Sequence, residues 1–88
     1  MTTNNSFSDV FDALQDAILQ NSSVLIKYKK FTGTRTTRTI DPKRFVLVER
    51  RRSKYHRICV NAFCHLRQDY RTFAVHRIEE LTTQSQLP

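Results

Sequence analysis

The chain has 88 residues, of which 39% are apolar and 26% charged, and it carries a formal net charge of +7. Its length allows one small domain, and its composition is typical of a soluble folded protein rather than a disordered one. There is no apolar run near the roughly 18 residues of a membrane span, no secretory-signal layout, and only two cysteines, too few for a disulfide scaffold. We therefore expect a cytoplasmic protein with no membrane contact and no cofactor, whose small core favours a homodimer or higher oligomer.

The first predicted element is an amphipathic helix. Apolar residues recur at helical spacing, and Ser6 with Asp9 three residues later resembles a capping pair. We predict a helix over residues 7–21, preceded by a disordered start at residues 1–6. Its apolar stripe packs either on the sheet of its own chain or on a partner, and the sequence leaves both alternatives open.

Five short strands are predicted between residues 22 and 81. VLIKYKKF alternates apolar and basic residues before the single glycine, Gly33, and TRTTRTI follows it up to Asp41-Pro42, where proline should end the ladder. The remaining strands are FVLV, YHRICVNAFC and YRTFAVHRI. This pattern predicts a mainly β fold with one N-terminal α-helix and a five-stranded antiparallel SH3-like (Sm-like) barrel. Residues 82–88 are predicted to be a flexible tail.

The positive charge is concentrated in this β region. Residues 1–22 contain three aspartates and no base, whereas residues 23–78 contain all fifteen bases against three acids, a net charge of +12. Such a charge density attracts polyanions, because it neutralises phosphates and releases their counterions. Nucleic acid or another anionic ligand is therefore the favoured partner. The alternative is a solvated basic face with no specific partner.

Several short motifs, in their order along the chain, resemble the WYL-domain family. Residues 38–42 read R-x-I-x-P, A-F-C follows at residues 62–64, and residues 71–78 read R-x-F-x-x-x-R-I. The resemblance implies an SH3-like, Sm-like barrel that senses ligands in bacterial transcription regulators, commonly beside a helix-turn-helix, and binds nucleic acid or nucleotide-like ligands. The name-giving tripeptide is replaced by Ile-Cys-Val at residues 58–60, which removes the family's tyrosine from the expected ligand groove.

The segment ahead of the predicted barrel bears on the regulatory role. It has about 23 residues, enough for one helix and too few for a helix-turn-helix domain. We therefore expect a stand-alone regulatory module that binds nucleic acid directly, with single-stranded DNA or RNA favoured, or an anionic nucleotide-like ligand. The alternative is a protein-interaction or oligomerisation module that acts on a partner regulator.

Residue chemistry and strand alternation select the candidate ligand residues. The guanidinium group of arginine can donate two parallel hydrogen bonds to phosphate oxygens, and aromatic rings can stack on exposed bases. Alternation along YHRICVNAFC places Arg57, Asn61 and Phe63 on the face opposite the core. The basic run at residues 49–57 is either an arm that contacts phosphates or a solvated hairpin. The candidate nucleic-acid or ligand residues are Arg38, Arg50, Arg51, Arg52, Tyr55, Arg57, Asn61, Phe63, Arg67 and Arg71.

Enzymatic and metal-binding interpretations fit the sequence less well. His56, Cys59, Cys64 and His65 are of zinc-ligand type. However, alternation sends the two cysteines to opposite faces of one strand. A RelE-type small ribonuclease would be similarly small and basic, but such toxins usually have two helices before the sheet and one is predicted here. We expect a non-enzymatic protein with no catalytic residues and no bound metal.

Overall fold

Six antiparallel strands and one helix make up the part of the chain that the computed structural model describes, residues 3–49 and 56–83. The strands form a single sheet in the order β1-β6-β2-β3-β4-β5. The elements in chain order are β1 (Thr3–Asn4), α1 (Phe7–Gln20), β2 (Val24–Lys29), β3 (Arg35–Glu49), β4 (His56–Cys64), β5 (Asp69–Ala74), a 3₁₀ helix (Val75–Arg77) and β6 (Ile78–Thr83). The prediction of a mainly β fold with one helix is confirmed.

The sheet differs from the predicted five-stranded barrel in strand number and in closure. The segment RTFAVHRI is divided, because a 3₁₀ helix begins at the fully buried Val75 and the chain then crosses to pair with β2 as β6. β1 and β5 lie at the two ends of the strand order, and no pairing joins them within the described residues. The sheet is therefore open.

Strand β3 continues through Pro42, where the sequence predicts a stop. Pro42 lies opposite Ala62 of β4, and the register between the two strands shifts between Pro42 and Arg44. Proline is tolerated at such a bulge because the missing N–H does not interrupt a regular ladder. The predicted second and third strands are thus one strand of 15 residues.

Helix α1 packs across the face of the sheet that carries the core. Ser6 Oγ accepts a hydrogen bond from the Asp9 N–H at 3.2 Å, as the predicted capping pair requires, and Asn21 ends the helix in the left-handed conformation, with φ 57°. The apolar stripe therefore lies against the sheet of its own chain. The largest fully buried side chains are Leu14, Ile26, Ile40, Leu81, Val10, Val24, Val60, Val75 and Cys64.

Both ends of the described chain are paired. Thr3 and Asn4, in the stretch that the sequence assigns to a disordered start, form β1 with Thr82 and Leu81 of β6. Thr82 and Thr83 belong to β6, although the sequence assigns them to the tail. Residues 84–88 lie outside the described part. Within residues 3–49 and 56–83 there is no helix long and apolar enough to cross a membrane.

Candidate functional site

A cavity of about 200 Å³ opens on the face of the sheet that carries the core. Strand pairing explains how charged side chains reach this face. Arg38 of β3 lies opposite the buried Ile26 of β2, and Arg71 of β5 lies opposite the buried Ala62 of β4. Residues directly opposite each other on paired strands lie on the same face of the sheet, so both arginines lie on the face that carries the core. The cavity is lined by Tyr28, Lys30, Arg38, Arg67, Arg71, Thr72 and Phe73.

Two aromatic rings meet at this cavity from strands that are not neighbours in the sheet. The rings of Tyr28 in β2 and Phe73 in β5 form an edge-to-face pair, with centroids 5.2 Å apart and an interplanar angle of 81°. The Tyr28 hydroxyl accepts a hydrogen bond from the Ala74 N–H at 3.1 Å. Because β3 and β4 lie between β2 and β5, these contacts cross the concave side of a strongly curled, open sheet.

Arg38 is the buried cation of the cavity. It is 8% exposed, and its Nη1 lies 3.6 Å from the Sγ of Cys64. It forms no ion pair with any residue in the described ranges. A buried charge without a counter-charge is costly. The arrangement is therefore chemically suited to accept a negative charge from a ligand.

Asp41 and Glu79 are hydrogen-bonded to side chains that do not line the cavity. Burial raises the pKa of Asp41, but hydrogen bonds from Ser23 and His65 outweigh this effect and leave its pKa below the ordinary value. Glu79 accepts a hydrogen bond from Arg35 at 2.7 Å, which lowers the pKa of Glu79. No acidic side chain is among the described residues that line the cavity. The four cations of the cavity therefore all attract an anionic group that enters it. They are Lys30, Arg38, Arg67 and Arg71.

The two cysteines have different surroundings. Burial raises the pKa of the Cys59 thiol. Burial also raises the pKa of Cys64, but the backbone N–H groups of Arg67 and Leu66 and the Arg38 guanidinium outweigh it and lower that pKa overall. Both thiols are free, and the described residues contain no group of three or more metal-ligating side chains. The Cys64 sulfur therefore acts as a hydrogen-bond acceptor that helps to position Arg38.

The cavity brings together three of the ten residues that the sequence selects, namely Arg38, Arg67 and Arg71. On β4, Arg57, Asn61 and Phe63 alternate with the core residues and lie on the opposite face of the sheet. The ring of Phe63 packs edge-to-face on Tyr70, with centroids 5.3 Å apart. The other four selected residues lie outside the described part of the chain: Arg50, Arg51, Arg52 and Tyr55.

Four cavity residues were missed because the sequence reasoning placed the ligand face opposite the core. The cavity instead lies on the core face itself, toward β5. Alternation in VLIKYK does put Tyr28 on the same face as Ile26, but only the pairing register brings that tyrosine near the arginines. The residues not selected from the sequence are Tyr28, Lys30, Thr72 and Phe73.

These features define a class of protein: a small, basic, mainly β module with an arginine-lined cavity on the curled face of its sheet. The model of the WYL domain family matches residues 9–83. The chain therefore belongs to the WYL domain family, as its motifs predict. No curated protein gives a significant match.

Among solved structures, the chain is similar to the proteasome accessory factor B/C (PafBC) of Arthrobacter aurescens. The TM-score is 0.74 at 21% sequence identity, and the match covers 94% of this chain. It covers 13% of the PafBC chain, so the present chain corresponds to a small part of the larger protein. At this level of identity the likeness concerns the fold alone.

Proposed function

We propose that the chain is a regulatory binding module whose cavity holds an anionic, nucleotide-like group, either a free nucleotide or one nucleotide of a single-stranded nucleic acid. One observation carries the proposal: four cations and an edge-to-face aromatic pair line the same cavity, and the described lining contains no acid. Membership of the WYL domain family supports the regulatory role.

The cavity chemistry matches the two parts of a nucleotide. Guanidinium forks such as those of Arg67 and Arg71 bind phosphate oxygens through paired hydrogen bonds. The Tyr28 and Phe73 rings offer apolar surface to a base or sugar. The described lining contains no carboxylate or imidazole that could serve as a general base. It therefore favours binding over catalysis.

The size of the cavity favours an unpaired nucleotide. Its volume of about 200 Å³ is below the roughly 300–1,000 Å³ of pockets that take drug-sized molecules. It has room for one phosphate with part of its sugar or base, so a longer strand would continue over the outer surface. A base-paired nucleotide would first have to leave its helix. We therefore expect single strands to bind more tightly than duplexes.

Fluorescence anisotropy with labelled single-stranded DNA, single-stranded RNA and duplex DNA, each over a salt series, tests this function. Arg71→Ala removes a cavity cation. Arg44→Ala is the matched control, because Arg44 is exposed, as Arg71 is, and lies on β3 outside the cavity. Both substitutions change the net charge by the same amount. We expect Arg71→Ala to weaken single-strand binding about tenfold or more, and Arg44→Ala to change it by about twofold at most.

Equal losses from the two substitutions would mean that the whole basic surface, rather than the cavity, attracts the strand. No binding of any oligonucleotide or nucleotide at low salt would reject the function.

The basic run at residues 50–52 stays a prediction, because it lies outside the described part of the chain. If it contacts phosphates, replacing its three arginines by alanine should weaken binding and flatten the slope of log K against log salt concentration. An unchanged slope would show that the run does not take part.

A further inference from the structure

The cations of the cavity lie at different depths. Arg38 is 8% exposed, and Phe73, which lines the same cavity, is 5% exposed. Lys30 is half-buried, whereas Arg67 and Arg71 are exposed. Arg38 and Phe73 therefore form the floor of the cavity, and Arg67 and Arg71 lie at its mouth. An anion has to pass the two exposed arginines before it reaches the buried one.

The floor of the cavity is held by the strands around it. The pairing of β3 with β2 runs through Arg38, which lies opposite Ile26. The Tyr28 hydroxyl accepts a hydrogen bond from the Ala74 N–H at 3.1 Å, which ties β2 to β5 across the concave side. Because Arg38 is packed on the core face, a ligand must bring its negative charge down to the floor to contact it.

The size of the cavity restricts which kind of phosphate can reach the floor. Its volume of about 200 Å³ has room for one phosphate with part of one nucleoside. A phosphodiester within a strand carries a nucleoside on each side, so both nucleosides would have to pass the mouth together. A phosphate at the end of a strand carries one nucleoside and can enter end-on.

The charge of the lining favours the same kind of phosphate. Four cations line the cavity, and no acid is among its described lining residues. A phosphodiester carries a single negative charge, whereas a phosphomonoester carries up to about two at neutral pH and has three oxygens free to accept hydrogen bonds. Each of these oxygens can accept a charge-assisted hydrogen bond from a guanidinium. The monoester therefore neutralises more of the positive charge in the cavity.

We propose that the nucleotide-like ligand of the cavity is a phosphomonoester, a narrower ligand class that rests on the function proposed above. It is either the phosphorylated end of a single strand or the phosphate of a free mononucleotide. Arg38 donates hydrogen bonds to its terminal oxygens, and Arg67 and Arg71 lie where the rest of the ligand leaves the cavity. A phosphodiester within a strand stays outside, at the mouth.

Isothermal titration calorimetry compares adenosine 5′-monophosphate with its 3′,5′-cyclic form. The two molecules have the same base and sugar, but the cyclic phosphate is a diester with a single negative charge. We expect the open monophosphate to bind about tenfold more tightly or better, which is the effect of at least one additional charge-assisted hydrogen bond.

Fluorescence anisotropy makes the same comparison in single-stranded DNA, with the label on an internal base. One strand carries a 5′-phosphate and a second carries a 3′-phosphate. The control strand has hydroxyl groups at both ends and is longer by two nucleotides, whose phosphodiesters match the charge of the terminal phosphate, so attraction to the basic surface as a whole is equal. We expect at least one phosphorylated strand to bind about tenfold more tightly than the control.

Arg38→Met tests the role of the floor. This variant should bind adenosine 5′-monophosphate no more tightly than the wild type binds the cyclic form. Arg44→Met, at an exposed position outside the cavity, is the control and should keep the full preference for the monoester. Circular dichroism melts report whether each variant is folded. If Arg38→Met does not fold, Arg71→Ala at the exposed mouth takes its place and should reduce the preference.

The two comparisons also separate the two sources of the phosphate. A preference for the monoester in the nucleotides alone identifies a free nucleotide as the ligand, and a preference in the strands alone identifies a strand end. Equal affinities within both comparisons would overturn the choice of a phosphomonoester while leaving the proposed function in place. A folded Arg38→Met chain that keeps the preference would overturn it as well. No binding of either nucleotide or of any strand would reject the proposed function itself.

Discussion

Replacing Arg38 by methionine should stabilise the fold and remove its affinity for anions. Arg38 is 8% exposed, its polar contact is with the Cys64 sulfur at 3.6 Å, and three other cations line the same cavity. A buried cation among like charges raises the free energy of the folded state, since no carboxylate of the described residues forms an ion pair with it. Methionine keeps an unbranched side chain that can fill the same space without the charge.

The expected magnitude follows from the burial of the charge. Replacing buried charged groups by apolar ones of similar volume has stabilised other proteins by about 1–4 kcal/mol. The lost contact with sulfur offsets part of this gain, by about 0.5–1 kcal/mol if it equals a weak hydrogen bond. We therefore expect Arg38→Met to raise the free energy of unfolding by up to about 3.5 kcal/mol. In a domain of this size each 1 kcal/mol corresponds to an increase in Tm of about 4–8 °C.

Urea denaturation followed by circular dichroism, with and without inorganic pyrophosphate, measures both effects. A ligand that binds only the folded state adds about 2.7 kcal/mol at one hundred times its Kd, so pyrophosphate should stabilise the wild type and leave the Arg38→Met chain unchanged. Arg44→Met, at an exposed position outside the cavity, is the control and should keep the pyrophosphate response. An Arg38→Met chain that is less stable than wild type, and that pyrophosphate still stabilises, would refute the reasoning.

Three further predictions concern stability. Hydrogen bonds from Ser23 and His65 hold the pKa of Asp41 below its unfolded value, so the carboxylate stabilises the fold above about pH 4 and this contribution is lost as the pH falls through the lowered pKa. Asp41→Asn should therefore lower Tm at neutral pH and flatten the acid side of a Tm against pH series, whereas an unchanged acid side would contradict this. Tyr28→Phe leaves the Ala74 N–H without its acceptor and should cost about 1–2 kcal/mol in a urea titration; no loss would mean that water replaces the hydroxyl. Asn21 ends α1 in the left-handed conformation, with φ 57°, so Asn21→Ala should lower the free energy of unfolding by about 1 kcal/mol and Asn21→Gly by much less. Thermal melts measure this order, and a glycine variant less stable than the alanine variant would contradict it.

Elements defined by their own residues could be predicted from the sequence. The cap at Ser6 and the apolar spacing after it give the helix its observed start, and the run YHRICVNAFC matches β4 closely. Each of these signals involves residues close together in the chain, so no knowledge of the fold was needed.

Elements that depend on distant contacts could not be predicted. The alternation of Phe73 and Val75 suits one continuous strand, and the break at Val75 arises where the chain turns beneath α1 and crosses to β2. Pro42 reads as a stop signal, but its place at a bulge beside β4 lets the strand continue. In both cases a tertiary contact overrides the local pattern.

The candidate site was predictable in its chemistry but not in its position. The excess of arginine pointed to an anionic ligand, and Arg38 and Arg71 do line one cavity. The face of the sheet on which they meet depends on two pairings, Arg38 with Ile26 and Arg71 with Ala62. Unless the pairing register of the strands is known, the sequence cannot show that basic residues and core residues lie on the same face of the sheet.

Chemical-shift mapping of the ¹⁵N-labelled chain during titration with a nucleoside 5′-monophosphate tests the proposed cavity most directly, with the unphosphorylated nucleoside as control. Saturable shifts should be largest at the amides of Arg38, Arg71 and Phe73 and should need the phosphate. Shifts concentrated at Arg57 and Asn61 on the opposite face, or small shifts spread evenly over the basic surface, would contradict the assignment of the ligand to this cavity.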